Sequence, residues 1–357
     1  MILKNWNSLL EKNMRKILFT AIILLPILTF GHENFAHCSD VQQTYTNPLK
    51  VMIGDPDVLK IENKYYLYGT SIPGVGFKTW ESDDLVNWEE KGIAFSKFAE
   101  GNQWGKKDFW APEVIYYQDK YYMVYSARAS DGRLKIALAV SDSPLGLFVN
   151  IKAPLFDNGF SNIDGHIFVD KNGTPYLFYV RDCSENIIDA KHVSQIYVQE
   201  MSKDLLNLKG EPILAIQPSQ NWEGLEDDWQ WNEGPFVIQN ESIYYLLYSA
   251  NYFGSPDYAI GYATSSSPLG PWTKHEGNPI LSKDLSIEVS GPGHCSITES
   301  PDGSELFIVY HTHTFPSSPG GNRILNIDRI YFDEEGHLKV IGPTRTPQPM
   351  PSNKKQR

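Results

Sequence analysis

Glu233 lies in the stretch Trp231-Asn232-Glu233-Gly234-Pro235-Phe236-Val237, crowded by aromatic and apolar neighbours. Such surroundings disfavour a charged carboxylate, which makes Glu233 the best candidate in the chain for an acid still protonated near neutral pH. A neutral carboxyl can give its proton to a leaving group. Two further acids, Asp55 in Gly54-Asp55-Pro56-Asp57 and Asp164 in Asn162-Ile163-Asp164-Gly165, open stretches of the same kind. With one acid to protonate a leaving oxygen and one carboxylate to act as base or nucleophile, a third carboxylate can tune the acid. Its negative charge disfavours ionisation of a neighbour, so Asp164 would help to keep Glu233 protonated.

These acids matter only if the fold brings them together, and the repeats argue that it does. Asp55-Pro56-Asp57-Val58 leads into Lys64-Tyr65-Tyr66-Leu67-Tyr68, and Ala111-Pro112-Glu113-Val114 leads into Lys120-Tyr121-Tyr122-Met123-Val124-Tyr125. Asp164-Gly165-His166-Ile167, Glu233-Gly234-Pro235-Phe236 and Gly293-His294-Cys295-Ser296 each precede a similar aromatic run. The openings at 55, 111, 164, 233 and 293 recur about every 60 residues, a period of repeat architectures. Each unit continues into a second half, as in Ile136 to Val140 before Ser141-Asp142-Ser143-Pro144-Leu145-Gly146, and Ala259 to Thr264 before Ser267-Pro268-Leu269-Gly270. Strand, hairpin, strand, turn and outer strand make four strands per unit. The expected fold is all-β, a five-bladed β-propeller with four antiparallel strands per blade over residues 45–346. Innermost strands start near the axis of a propeller, so Asp55, Asp164 and Glu233 should converge at one end of the channel. Two such carboxyls suffice for hydrolysis of a glycosidic bond. The competing reading makes the acids structural hydrogen-bonders between blades.

Composition narrows the partner. A net charge of -12 and a pI of about 5.2 argue against nucleic acid, whose phosphates need clustered Lys and Arg. Aromatic content of 13%, with 9 Trp and 20 Tyr, supplies flat faces on which sugar rings stack, although most of these rings belong in cores. Lys4, Lys12, Arg15 and Lys16 precede an apolar run from Ile17 to Phe30, which reads as a secretory signal peptide over 1–31. That run is short for a membrane span, which needs about 20 residues, so no integral membrane segment is expected after the leader is removed. A lipid-anchored form acylated at Cys38 is the alternative to a free secreted or periplasmic one. Cys38, Cys183 and Cys295 form neither a disulfide framework nor a zinc pattern. The tail from Pro347 is rich in Pro and basic residues and is expected to be loosely ordered.

Together, Asp55-Pro56, Trp110-Ala111-Pro112-Glu113, Asn162-Ile163-Asp164, Asn232-Glu233-Gly234-Pro235 and Gly293-His294 resemble glycoside hydrolase family 43. The resemblance covers essentially the whole chain after the leader. It implies a five-bladed propeller acting on arabinose- or xylose-containing oligo- and polysaccharides. By that resemblance Asp55 matches the general base, Asp164 the residue that orients the acid and modulates its pKa, and Glu233 the general acid. Trp110 matches an aromatic lining the sugar pocket, and Arg323 a basic residue near the sugar, with Arg329 as a competitor for that part. His294 matches a histidine that helps to hold calcium or another ion through water; an isolated histidine there otherwise reads as a core residue. A binding propeller such as a lectin would not need three acids, and an invertase-like enzyme would carry Asn-Asp-Pro-Asn where this chain has Gly54-Asp55-Pro56-Asp57. Exo or endo action depends on the insertions Ile187 to Gln195 and Gln217 to Trp231: walling off one side of the pocket gives exo action, the favoured expectation.

Overall fold

In a computed structural model of the chain, residues 43–353 are described. The expected leader at 1–31 and the anchor alternative at Cys38 lie outside these residues. The described chain builds five four-stranded antiparallel sheets in sequence order, each the next blade of a ring. Their innermost strands are Gly54–Ile61, Lys107–Tyr117, Asn162–Val169, Asn232–Asn240 and Gly293–Glu299. Each packs against the innermost strand of the following blade, and Gly293–Glu299 packs back against Gly54–Ile61. Among the described residues the helical elements are two short 3-10 turns, Asn221–Glu223 and Leu285–Ile287.

The aromatic runs form strands because both faces of a blade are covered. Successive side chains on a strand point to opposite faces, so a blade between two others needs apolar residues at nearly every position of its second strand. Tyr65 and Leu67 enter the core shared by blades five and one, whereas Tyr66 and Tyr68 enter the core between blades one and two. Leu246 and Tyr248 likewise face blade three, and Tyr245 and Leu247 face blade five. Five apolar cores result, one for each blade-to-blade interface.

Ring closure also uses the chain before the first blade. Leu49 N–H donates to Leu325 C=O at 2.8 Å, and Ile53 N–H to Arg323 C=O at 3.0 Å, which ties blade one to the third strand of blade five. The tail differs from expectation: Gln348–Pro349 pairs with Thr44–Tyr45, and the Ser352 backbone N–H donates to the Glu305 carboxylate at 2.8 Å. Its prolines suit a short edge pairing, which needs few donors.

All five inner strands open on the same irregularity. Register shifts fall between Gly54 and Asp57, Trp110 and Glu113, Ile163 and His166, Glu233 and Phe236, and Gly293 and Ser296. Within each bulge one residue is left-handed: Asp55 (φ 52°), Ala111 (φ 42°), Asp164 (φ 53°), Gly234 (φ 57°) and His294 (φ 47°). Four of these carry side chains, and each such residue costs on the order of 1–3 kcal/mol of local strain. The neighbouring blade holds the bulge in place. The backbone N–H of Asp55 donates to His311 Nδ1, that of Ala111 to Thr70 Oγ1, that of Asp164 to Ser126 Oγ and that of His294 to Ser249 Oγ, all at 2.8–3.0 Å. The fifth, Gly234 N–H, donates to the carboxylate of Asp164 itself at 3.1 Å.

The bulge corrects the expected alignment of the acids. Asp55 and Asp164 are equivalent, but Glu233 stands one residue earlier in its repeat, at the position of Trp110. The fifth opening is likewise centred on His294 rather than Gly293.

Candidate active site

Asp55, Trp110, Asp164, Glu233, His294 and Arg323 all line one cavity of about 380 Å³, a size typical of small-molecule sites. Every site residue expected from sequence is therefore brought to one place. The three acids are almost wholly buried.

Asp55 is surrounded by donors. Arg323 Nη1 donates to its Oδ1 at 2.5 Å and the Thr70 hydroxyl to its Oδ2 at 2.6 Å, while His294 Nδ1 lies 3.3 Å from Oδ1. Burial by itself would raise the pKa of this carboxyl. Arg323, the imidazoles of His294 and His311, and the Thr70 hydroxyl outweigh burial and hold it well below the usual carboxylate range. Gly54 makes the ion pair sterically feasible, because a Cβ there would fall 2.1 Å from the guanidinium carbon of Arg323. Arg329, the competing basic residue, pairs instead with Glu305 at 2.7 Å.

Glu233 has the opposite surroundings. No cation pairs with it among the described residues, and its Oε1 accepts one hydrogen bond, from the Tyr258 hydroxyl at 2.9 Å. Burial first, and then the charge of Asp164, push its pKa well above the usual range, with the Tyr258 hydrogen bond acting against them. Asp164 falls between the two. Burial and the proximity of Asp55 raise it to about 6, although His294 and the Gly234 N–H favour its anion.

A buried charge cluster fixes the segment leading to the acid. Glu223 accepts from Ser219 N–H (2.6 Å), Gln220 N–H (2.7 Å), the Tyr248 hydroxyl (2.7 Å) and Lys274 Nζ (2.5 Å). Lys274 also donates to Asn232 Oδ1 at 2.8 Å, and burial lowers its own pKa to about 8. With Asn232 held on that side, Trp231 and Glu233, two residues apart on extended chain, both face the cavity.

The two insertions meet. Ile187–Ile188, Lys191–Val193 and Trp229–Gln230 form a sixth, three-stranded sheet outside the blades, in which His192 pairs with Trp229 and Val193 with Gln230 in parallel. Trp229 and Trp231 from this region line the cavity.

Sequence reasoning missed several lining or supporting residues. Thr70 ends the second strand of blade one and His311 follows the apolar run Leu306 to Tyr310 in that of blade five, and a polar residue closing an apolar run was the available signal. Asp182, Cys183, Arg128, Tyr252 and Phe253 also line the cavity but come from loops or strand ends with no repeated pattern. Tyr258 carried no signal of its own.

Calcium takes six to eight oxygen ligands. No set of three carboxylate, imidazole or thiolate atoms within 4.8 Å of one another includes His294 among the described residues, and the nearby Asp55 is engaged by Arg323. These side chains do not make a calcium cage around His294. The set that does meet this spacing, Asp333, Glu335 and His337, lies on an outer hairpin of blade five.

A buried carboxyl pushed towards its anion and another pushed towards its neutral form, lining a single cavity of small-molecule size, fit an acid–base hydrolase on a propeller. The family profile Glycosyl hydrolases family 43 matches residues 45–338. The fold superposes on the crystal structure of a thermostable family-43 glycoside hydrolase with a TM-score of 0.86 at 66% identity, covering 87% of this chain and 99% of that one. It superposes on an endo-1,4-beta-xylanase from Bacteroides thetaiotaomicron with a TM-score of 0.72 at 34% identity, over 85% of this chain and 98% of that one. An extracellular exo-alpha-(1->5)-L-arabinofuranosidase of Streptomyces avermitilis is 27% identical, over 89% of this chain and 68% of its own length. The chain belongs to glycosyl hydrolases family 43 and is a glycoside hydrolase.

Proposed function

We propose that this enzyme removes arabinofuranosyl or xylosyl units from plant cell-wall polysaccharides with inversion at the anomeric carbon, acting from chain ends outside the cell. The observation that carries the reading is two buried acids in one cavity with opposite surroundings: Asp55 beside a guanidinium and two imidazoles that favour its anion, Glu233 beside the Asp164 carboxylate and without a cation, which together with burial favours its neutral form. Glu233 protonates the departing glycosidic oxygen while Asp55 takes a proton from water attacking the opposite face of the sugar. Asp164 orients Glu233 through the Gly234 backbone and raises its pKa by charge. Arg323 keeps Asp55 ionised, and Trp110 offers the sugar a flat face.

Relatives acting on arabinofuranosides and on xylan support the sugar class. The paired insertions, from which Trp229 and Trp231 reach the cavity, support exo action, and the extracellular designation of the arabinofuranosidase relative supports secretion. Calcium near His294 would have to be held through water, and no step of the reaction runs through it; metal analysis of the purified protein tests whether an ion is carried.

Proton NMR of the first product from arabinofuranosyl and xylosyl substrates tests the mechanism. Inverted anomeric configuration is expected, and retention would rule out direct activation of water by Asp55. Release of monosaccharide alone from debranched arabinan or xylan fits exo action, whereas early mixed oligosaccharides would make the enzyme endo-acting.

A further inference from the structure

Aromatic rings run without a break along one side of the cavity. His192 lies parallel to Trp229, with ring centroids 3.8 Å apart and planes 1° apart. Trp229 is followed by Trp231 at 6.2 Å, Trp231 by Tyr252 at 5.5 Å, and Tyr252 by Phe253 at 4.8 Å. The Arg323 guanidinium then sits 5.1 Å from the Phe253 ring centre, and Arg323 is the partner of Asp55. The ladder thus leads from the sixth sheet to the charged end of the site.

Burial does not account for these rings. Trp229 is 42% exposed and Tyr252 is 48% exposed, and neither joins any of the five blade-to-blade cores. The sixth sheet lies outside the five blades, and its parallel pairing places Trp229 beside the cavity.

We propose that Trp229, Trp231 and Tyr252 form a stacking subsite for the leaving-group sugar of a chain substrate. The position relative to the acid fixes which sugar it holds. Trp231 precedes Glu233 by two residues and faces the same cavity, so the group that Glu233 protonates departs along the ladder. The charge around it selects a neutral ring. Asp182 and Asp164 line the cavity, and its cations Arg128 and Arg323 are paired with Asp108 and Asp55, both at 2.5 Å, which disfavours a uronic acid. A neutral furanose or pyranose lays its C–H face on an indole and keeps its hydroxyls towards water or carboxylate oxygens.

The inference rests on the glycosidase reading and deepens it by assigning the ladder to the second sugar. Its test compares Trp229→Ala and Tyr252→Ala with the parent enzyme on two substrates sharing one reacting sugar: an unmodified di- or trisaccharide, and the corresponding glycosyl fluoride, whose leaving group has no ring. Both positions are exposed, so the variants should fold, and circular dichroism checks this. Loss of kcat/KM on the oligosaccharide should exceed loss on the fluoride by about tenfold, mostly through KM, as expected for a lost aromatic contact. Equal losses on both substrates, or no loss on either, overturn the subsite. A parent enzyme inert on every arabinosyl and xylosyl substrate would instead overturn the proposed sugar class, on which the subsite rests.

Discussion

Asp55 and Glu233 occupy the same cavity at the same exposure of 8%, yet their protonation is pushed in opposite directions. Burial raises the pKa of both. The blades around them decide the outcome. Blades five and one give Asp55 a guanidinium, two imidazoles and a hydroxyl, whereas blades three and four give Glu233 a carboxylate neighbour and a single phenol. Burial therefore amplifies whatever partners are present, because a low-dielectric site strengthens attraction and repulsion alike.

Removing the proton donor breaks the contrast at its strongest point. Glu233→Gln keeps the shape and loses the acid, so kcat on unactivated glycosides should fall by about 10²–10⁴-fold. Aryl glycosides with good leaving groups should fall far less, because they depart without a proton. Equal loss on both substrate classes would mean that Glu233 is not the acid.

The next test removes the guanidinium that holds Asp55 ionised. Without a neighbouring cation a buried carboxylate releases its proton less readily, so Arg323→Met should raise the pKa of Asp55. The base is then lost earlier as pH falls, and the acid limb of kcat/KM should move to higher pH. An unmoved acid limb accompanied by weaker binding would make Arg323 a sugar ligand only.

Asp164→Asn addresses the other side. It removes the anion that repels ionisation of Glu233, so the acid ionises more readily and the alkaline limb should move to lower pH. After burial, Asp164 is the largest influence raising Glu233, so the effect is read on the alkaline limb. A limb displaced by a full pH unit would correspond to about 1.4 kcal/mol of repulsion between the two carboxylates. An alkaline limb that stays in place would refute the tuning role.

Much of this arrangement was legible in the chain because short-range patterns carried it. Continuous aromatic and apolar runs such as Tyr65 to Tyr68 implied strands, and their recurrence implied the ring. The acids stood out because they precede those runs at the openings of three of the five repeats. The one-residue offset of Glu233 was not legible, since a bulge is a property of paired backbones. Nor was the association of Asp55 with Arg323, separated by 268 residues and dependent on the missing Cβ of Gly54. The pairing of His192 with Trp229 was hidden for the same reason: it joins two insertions that lie apart in the chain.

Tyr258 provides the finest test of the comparison, because its effect should oppose that of Asp164. Its hydroxyl donates to Glu233 Oε1, and a hydrogen bond donated to a carboxylate favours the ionised form. Tyr258→Phe should therefore raise the pKa of Glu233 further and move the alkaline limb to higher pH, while Asp164→Asn moves it lower. The displacement should be the smaller of the two, since the phenol is neutral and ranks below Asp164 among the influences on Glu233. The ring should remain in place. Tyr258 stacks on His311 at 5.7 Å with planes 13° apart, and Gly293 lies against its edge, so a phenylalanine fills the same space. Positioning adds a second readout. If the hydroxyl also aims Glu233 at the leaving oxygen, kcat on unactivated glycosides should fall while aryl substrates are nearly spared, even as the limb moves up. A limb displaced to lower pH, in the direction expected for Asp164→Asn, would show that the phenol does not stabilise the Glu233 anion.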